Sequence, residues 1–127
     1  MPYKLSWYLP KRIILVDCVG TITTDEIRSF AQNGVEMVTS GRPLVHFIVD
    51  FRQVQGVESI PQALRTLQQN PPHPDTGWVL FVGKLNPLLT TFADFAGTVI
   101  RVRYRRFGSM EEALAFLKER DTSLALV

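Results

Sequence analysis

Apolar residues recur along this chain in two rhythms: short runs of strand length, and longer stretches in which they return every three or four positions. The first two runs, Tyr3 to Leu9 and Arg12 to Val19, are separated only by Pro10 and Lys11, which predicts a tight antiparallel hairpin. Gly20 is expected to end the second strand. Thr23-Thr24-Asp25-Glu26 then offers an N-cap hydroxyl with Glu three residues on, so a helix begins near Thr24. Its residues Ile27, Phe30, Ala31, Val35 and Val38 share one face, and Gly41 followed by Pro43 stops it. Leu44 to Asp50 is a nearly continuous apolar run, as expected of a central strand covered on both faces. A loop leads to a short helix over Ile60 to Leu67 with Pro61 in its first turn, closed by the rigid loop Asn70-Pro71-Pro72-His73-Pro74. Trp78 to Gly83 reads as a second buried strand, and Pro87 to Phe95 as a helix carrying Leu88, Leu89, Phe92 and Phe95. Val99 to Phe107 alternates strictly, predicting a strand near a sheet edge with one wet face. Ser109-Met110-Glu111-Glu112 repeats the capping signal before a last helix with Ala113, Leu114, Phe116 and Leu117, leaving a short tail from Asp121 to Val127.

The order ββαβαβαβα predicts an α/β fold: a single mixed five-stranded sheet with four helices, antiparallel at the opening hairpin and parallel at the later crossovers. A chain of 127 residues suits one domain spanning 1–127, and one of that size buries roughly two-thirds of its unfolded surface. With 46% hydrophobic and 20% charged residues it is too apolar for a disordered segment. The single cysteine, Cys18, lies inside the apolar run Ile13 to Val19; no intrachain disulfide can form, and a reducing, cytoplasmic compartment suits the chain. Met1 to Pro10 lacks the apolar core of an export signal, and no run approaches the roughly 20 residues of a membrane-spanning helix. A net charge of +2 and a pI near 8.9 give no strong nucleic-acid signal.

Open α/β sheets hold ligands at the carboxyl ends of their parallel strands. There the expected topology gathers Asp50, Arg52 and Ser59, then Lys84 and Asn86, with Thr21 and Thr23 beside them, the candidate partner- or ligand-binding residues. As a protein contact these form a polar rim; in a carrier they border an apolar pocket beneath the first two helices. Gly83-Lys84-Leu85-Asn86 reads as a plain β-α turn that holds an anion only weakly. Arg101, Arg103 and Arg105, with Arg106, form the sharpest charge feature. On an alternating strand the first three share a face, either a candidate anion-binding row or edge protection neutralised by acids of the last helix.

Asp17-Cys18-Val19-Gly20-Thr21-Ile22-Thr23 resembles the nucleophile motif of haloacid-dehalogenase-type phosphatases. Val19 stands where that chemistry needs a second Asp as general acid, so the segment reads as a strand end with a Gly turn. His46, His73 and Cys18 have no metal-ligand spacing, and no window offers a nucleophile elbow or a Cys-His pair. No catalytic residue, metal or cofactor is expected.

The element order, with Val49-Asp50-Phe51-Arg52-Gln53-Val54-Gln55-Gly56-Val57-Glu58-Ser59 leading into a short helix, resembles the STAS-like domain shared by sulfate transporters and bacterial anti-sigma-factor antagonists. In that superfamily a strand ends in Asp, and an acidic-Ser-Ser-Gly segment opens the next helix and carries a regulatory phosphorylation site; Asp50, Val54, Glu58 and Ser59 match in order. Ile60 falls where the phosphoacceptor serine stands and Pro61 where glycine follows, so Ser59 is expected to remain unphosphorylated. The hairpin and the closing Phe107 with Glu111-Glu112-Ala113 are similar to a divergent SpoIIAA-like branch, which is also similar to Sec14-type lipid-binding domains. The resemblance implies a non-catalytic regulatory or protein-interaction domain, monomeric or homodimeric; the alternative is a carrier or sensor of a small apolar or anionic ligand.

Overall fold

The computed structural model describes residues 3–84 and 86–124; Leu85 of the Gly83–Asn86 turn and the last three residues of the tail lie outside them. Nine elements run β1 (Tyr3–Leu9), β2 (Ile13–Ile22), α1 (Thr24–Thr39), β3 (Val45–Val57), α2 (Ile60–Gln69), β4 (Thr76–Val82), α3 (Pro87–Val99), β5 (Arg103–Phe107) and α4 (Met110–Arg120). The sheet order is β1-β2-β3-β4-β5, with β1 antiparallel to β2 and every later pair parallel. This is the mixed five-stranded α/β sheet that the hydrophobic pattern predicts. Its hairpin closes where the Arg12 amide donates to the Leu9 carbonyl, with Lys11 in the left-handed region at φ 68°.

Side chains alternate across the strands, so each face builds its own core. On one face Ile14, Val16, Val49, Val79 and Phe81 pack under α1, α2 and α3. On the other, Ile13, Ile48, Leu80 and Val82 pack against Ala113 and Leu117 of α4. One helix covers the β4–β5 side of that second face, and on the β1–β2 side Lys4, Tyr8 and Asp17 stay exposed.

Three boundaries differ from the sequence pattern, each for a local reason. Gly20 does not end β2: at φ +68° it sits beside a register shift, and the strand runs on to Ile22. Residues 51–57 are not a loop but the end of β3, paired with that extension through Gln53, Val54, Gly56 and Val57. Their polar composition reflects a two-stranded ribbon that outruns β4, whose last pairing is Val82 with Asp50. Residues 99–102 are not strand: α3 continues to Val99 and closes with the Arg101 amide on the Thr98 carbonyl and the Val102 amide on the Gly97 carbonyl. That Schellman arrangement places Arg101 at φ 56°, a position glycine usually fills, so no glycine marked the stop.

Candidate functional site

Three of the polar residues expected to form a binding surface at the carboxyl pole cap helices. Thr23 accepts from the Glu26 amide while Glu26 returns a carboxylate oxygen to the Thr23 amide at 2.8 Å, a complete capping box for α1. Glu58 adds a carboxylate oxygen 3.2 Å from the Thr24 amide, so β3 also reaches the start of that helix. Ser59 caps α2 by accepting from the Gln62 amide, and Asn86 caps α3 by accepting from the Leu89 amide at 2.8 Å. These oxygens serve helix starts whose first amides have no intrahelical partner.

Two ion pairs stand at that pole among the described residues: Arg28 with Asp25 in the exposed first turns of α1, at 2.8 Å, and Asp50 with Arg52. Arg52 Nε and Nη2 lie 3.0 and 2.8 Å from the two carboxylate oxygens, and the Arg52 amide donates to Asp50 Oδ1 at 3.0 Å. Burial opposes ionisation of Asp50, but these hydrogen bonds outweigh it and hold its carboxyl below the ordinary value of 3.8. A carboxylate held ionised in this way has no proton to give, and the pair positions charge; its guanidinium stays half exposed. Gly83 passes so close that a Cβ there would lie 3.1 Å from the Arg52 amide nitrogen, bringing the β4–α3 turn beside the pair. Lys84 and Thr21 are exposed at the same end. The structure therefore gathers the expected residues at one pole, with the capping roles visible only in three dimensions.

Asp17 lies within β2 and is exposed, while Cys18 turns into the core. Burial, with the charges of Asp17 and Asp50, pushes the Cys18 thiol up to about 12, which removes it as a nucleophile.

The arginine row is corrected. Arg101, in the α3 turn, leaves it; Arg103 and Arg105 remain on the α4 face of β5, the edge strand. Acids of α4 do not neutralise them. Arg103 stacks 5.1 Å from the Trp78 ring centroid and Arg105 5.6 Å from that of Phe116, while Arg106 pairs with Asp94 of α3 at 3.0 Å.

Sequence reasoning missed a cluster at the opposite, amino-terminal pole. Buried His46 lies with Nε2 2.8 Å from Asp121 Oδ2, and its Nδ1 accepts from the Trp78 amide at 2.9 Å. That acceptor role fixes the neutral tautomer, with the proton on Nε2. Burial carries its pKa below 6.5 despite the Asp121 hydrogen bond. Arg12 completes the cluster by donating to Asp121 at 2.9 Å, to Ser123 at 3.0 Å and to the Leu44 carbonyl at 3.1 Å. The one sequence signal was a histidine inside an apolar strand.

No protein-family model and no curated protein sequence matches this chain. Solved structures do. An uncharacterized protein of the DUF3478 family with a SpoIIAA-like fold, from Shewanella loihica, aligns with a TM-score of 0.62 at 13% identity over 91% of each chain. The anti-sigma factor antagonist SpoIIAA in its unphosphorylated form aligns at 0.60 and 11% identity, covering 92% of this chain and 96% of that one. The Bacillus cell fate determinant SpoIIAA in its phosphorylated form aligns at 0.54 and 12%, covering 91% and 98%.

Proposed function

From the SpoIIAA-like fold and the make-up of the carboxyl pole, we propose that this chain is a non-catalytic interaction domain that docks a protein partner there. The observation that carries this is on α3. Leu88 and Phe95, seven residues apart and so on one helix face, are 56% and 53% exposed, while Leu89, Phe92, Ala93 and Ala96 fill the core. Two large apolar side chains held in water along a helix that starts beside the Asp50–Arg52 pair and the exposed Lys84 make an apolar face with charge at one end, the composition of a protein contact. The SpoIIAA proteins that share the fold include, by their descriptions, an anti-sigma factor antagonist.

For an apolar ligand, the carrier or sensor alternative requires an enclosed apolar cavity of useful size. Beneath α1–α3 lie two small cavities of about 70 Å³ each, lined by residues such as Cys18, Phe30, Val49 and Phe81. They adjoin, sharing Phe30, Val49, Leu67, Val79 and Ile100, and even together stay below the ~150 Å³ that admits benzene and the ~300 Å³ where small-molecule pockets begin. The protein-partner reading is therefore preferred. Leu88→Glu with Phe95→Glu, compared with wild type in affinity purification from the native host, tests it. A partner recovered stoichiometrically by wild type and lost with the double variant, at unchanged thermal midpoint, is the expected result; equal recovery would overturn the assignment to this face.

A further inference from the structure

The amino-terminal pole, remote from the proposed docking face, carries a second feature. A concavity of about 340 Å³ opens there, at the starts of β2, β3, β4 and β5 and the end of α4, within the size range of small-molecule sites. Arg12, Arg103 and Arg120 line it together with His46, Asp121 and Ser123. Asp121 is the only carboxylate in this lining, and its oxygens are taken by Arg12, His46 and Ser123. His46 is neutral in the tautomer described above and adds no charge. Two guanidinium charges are thus left in excess, since neither Arg103 nor Arg120 has a carboxylate partner among the described residues.

How these arginines are held matters as much as their number. Arg103 lies over Trp78 and Arg120 over Phe116, each 5.1 Å from the ring centroid. Trp78 and Phe116 themselves meet edge to face at 4.9 Å. Stacking engages the flat face of a guanidinium and leaves its N–H edge free, the edge that matches two oxygens of a phosphate or carboxylate. Edge protection accounts for arginines on β5. It does not account for Arg120, which belongs to a helix, or for Arg12, which is largely buried and tied down by three acceptors at the same concavity.

We propose that the Arg12–Arg103–Arg120 pocket binds a doubly charged oxyanion of the phosphate-ester class, presented either by a free small molecule or by a lipid headgroup. Glycerol 3-phosphate, a soluble phosphate monoester, serves as the free probe, titrated calorimetrically at low and at high salt. Phosphatidylcholine vesicles with and without phosphatidic acid serve as the headgroup probe. Wild type is expected to bind at least one probe saturably, more weakly as salt rises. Arg120→Gln is expected to lose about tenfold in affinity and Arg103→Gln/Arg120→Gln to lose binding altogether, whereas Arg65→Gln, on α2, matches wild type. Arg120→Lys, which keeps the charge without the fork, recovers part of the loss. The thermal midpoint of each variant is read alongside; if the double variant unfolds, the single Arg120→Gln decides. Binding of glycerol 3-phosphate alone assigns a free ligand and binding of phosphatidic acid vesicles alone assigns a headgroup, both supporting the site. Binding of neither probe by wild type, or equal losses in Arg65→Gln and Arg120→Gln, would overturn it.

Discussion

Ile48 illustrates what a single position in the middle of the sheet is worth. It has no exposed surface and packs in the core on the α4 face. Ile48→Ala removes three carbons that no neighbour can replace without moving the sheet, so it is expected to cost about 2–5 kcal/mol. Urea titration of the two proteins measures this, and a loss below about 1 kcal/mol would contradict a central β3. His46 and Asp121 give stability a definite dependence on pH. The folded value of His46 is lowered, so the unfolded chain takes up its proton first, and stability declines as pH falls below about 6.5. For Asp121, burial opposes ionisation, but hydrogen bonds from Ser123 and His46 and the Arg12 charge bring the carboxyl down to about 2 from 3.8. Its contribution is complete above about pH 4 and disappears as pH falls through about 2. Urea midpoints are therefore expected to fall in two stages on acidification, and Asp121→Asn to flatten the lower one; midpoints constant from pH 7 to about 3 would refute the cluster. Cys18 was legible as a buried thiol because its whole neighbourhood is apolar. The partner of His46 was not, because Asp121 lies 75 residues away and arrives only when the segment after α4 folds back onto the sheet.

Among the elements, those whose start and stop are chemically marked were legible. Thr23 and Ser109 each precede a Glu three residues on, and both cap the helices that the spacing predicts. Elements whose ends lack such markers were not: Arg101 fills the glycine-like turn after α3, and Gly20 occupies a bulge within β2 instead of its end. Ser59 belongs at this scale, because its oxygen accepts from the Gln62 amide and so serves α2. Ser59→Ala is expected to destabilise by about 0.5–2 kcal/mol, whereas Ser59→Asp, an equally good cap, is expected to cost little. Reversal of that order in thermal denaturation would contradict the capping role. Ser59 is also expected to carry no phosphate in cells, since Ile60 and Pro61 replace the serine and glycine of the superfamily segment. Intact-mass measurement on protein from the native host decides this, and stoichiometric phosphate on Ser59 would reopen a phosphoswitch.

For the molecule as a whole, strand order and direction were legible because buried strands and capped helices alternate, and connections in such chains are short and consistently placed. The candidate pole followed from that topology, which set Asp50, Arg52, Ser59 and Asn86 at one end before any side chain was positioned. The exposed face of α3 was not visible, because Leu88 and Phe95 share their helical spacing with Leu89 and Phe92, and only the packing shows which pair meets water. The resulting molecule has unlike ends: an apolar and charged carboxyl pole, proposed to dock a protein, and an arginine-lined amino pole, proposed to bind an oxyanion. Hydrogen-deuterium exchange on the domain alone and with the partner recovered from its host tests the central claim most directly. New protection is expected in the β3–α2 connection, in the turn around Lys84 and along α3 as far as Phe95, with α4 unchanged; protection confined to α4 and β5, with α3 exchanging as in the free protein, would contradict it.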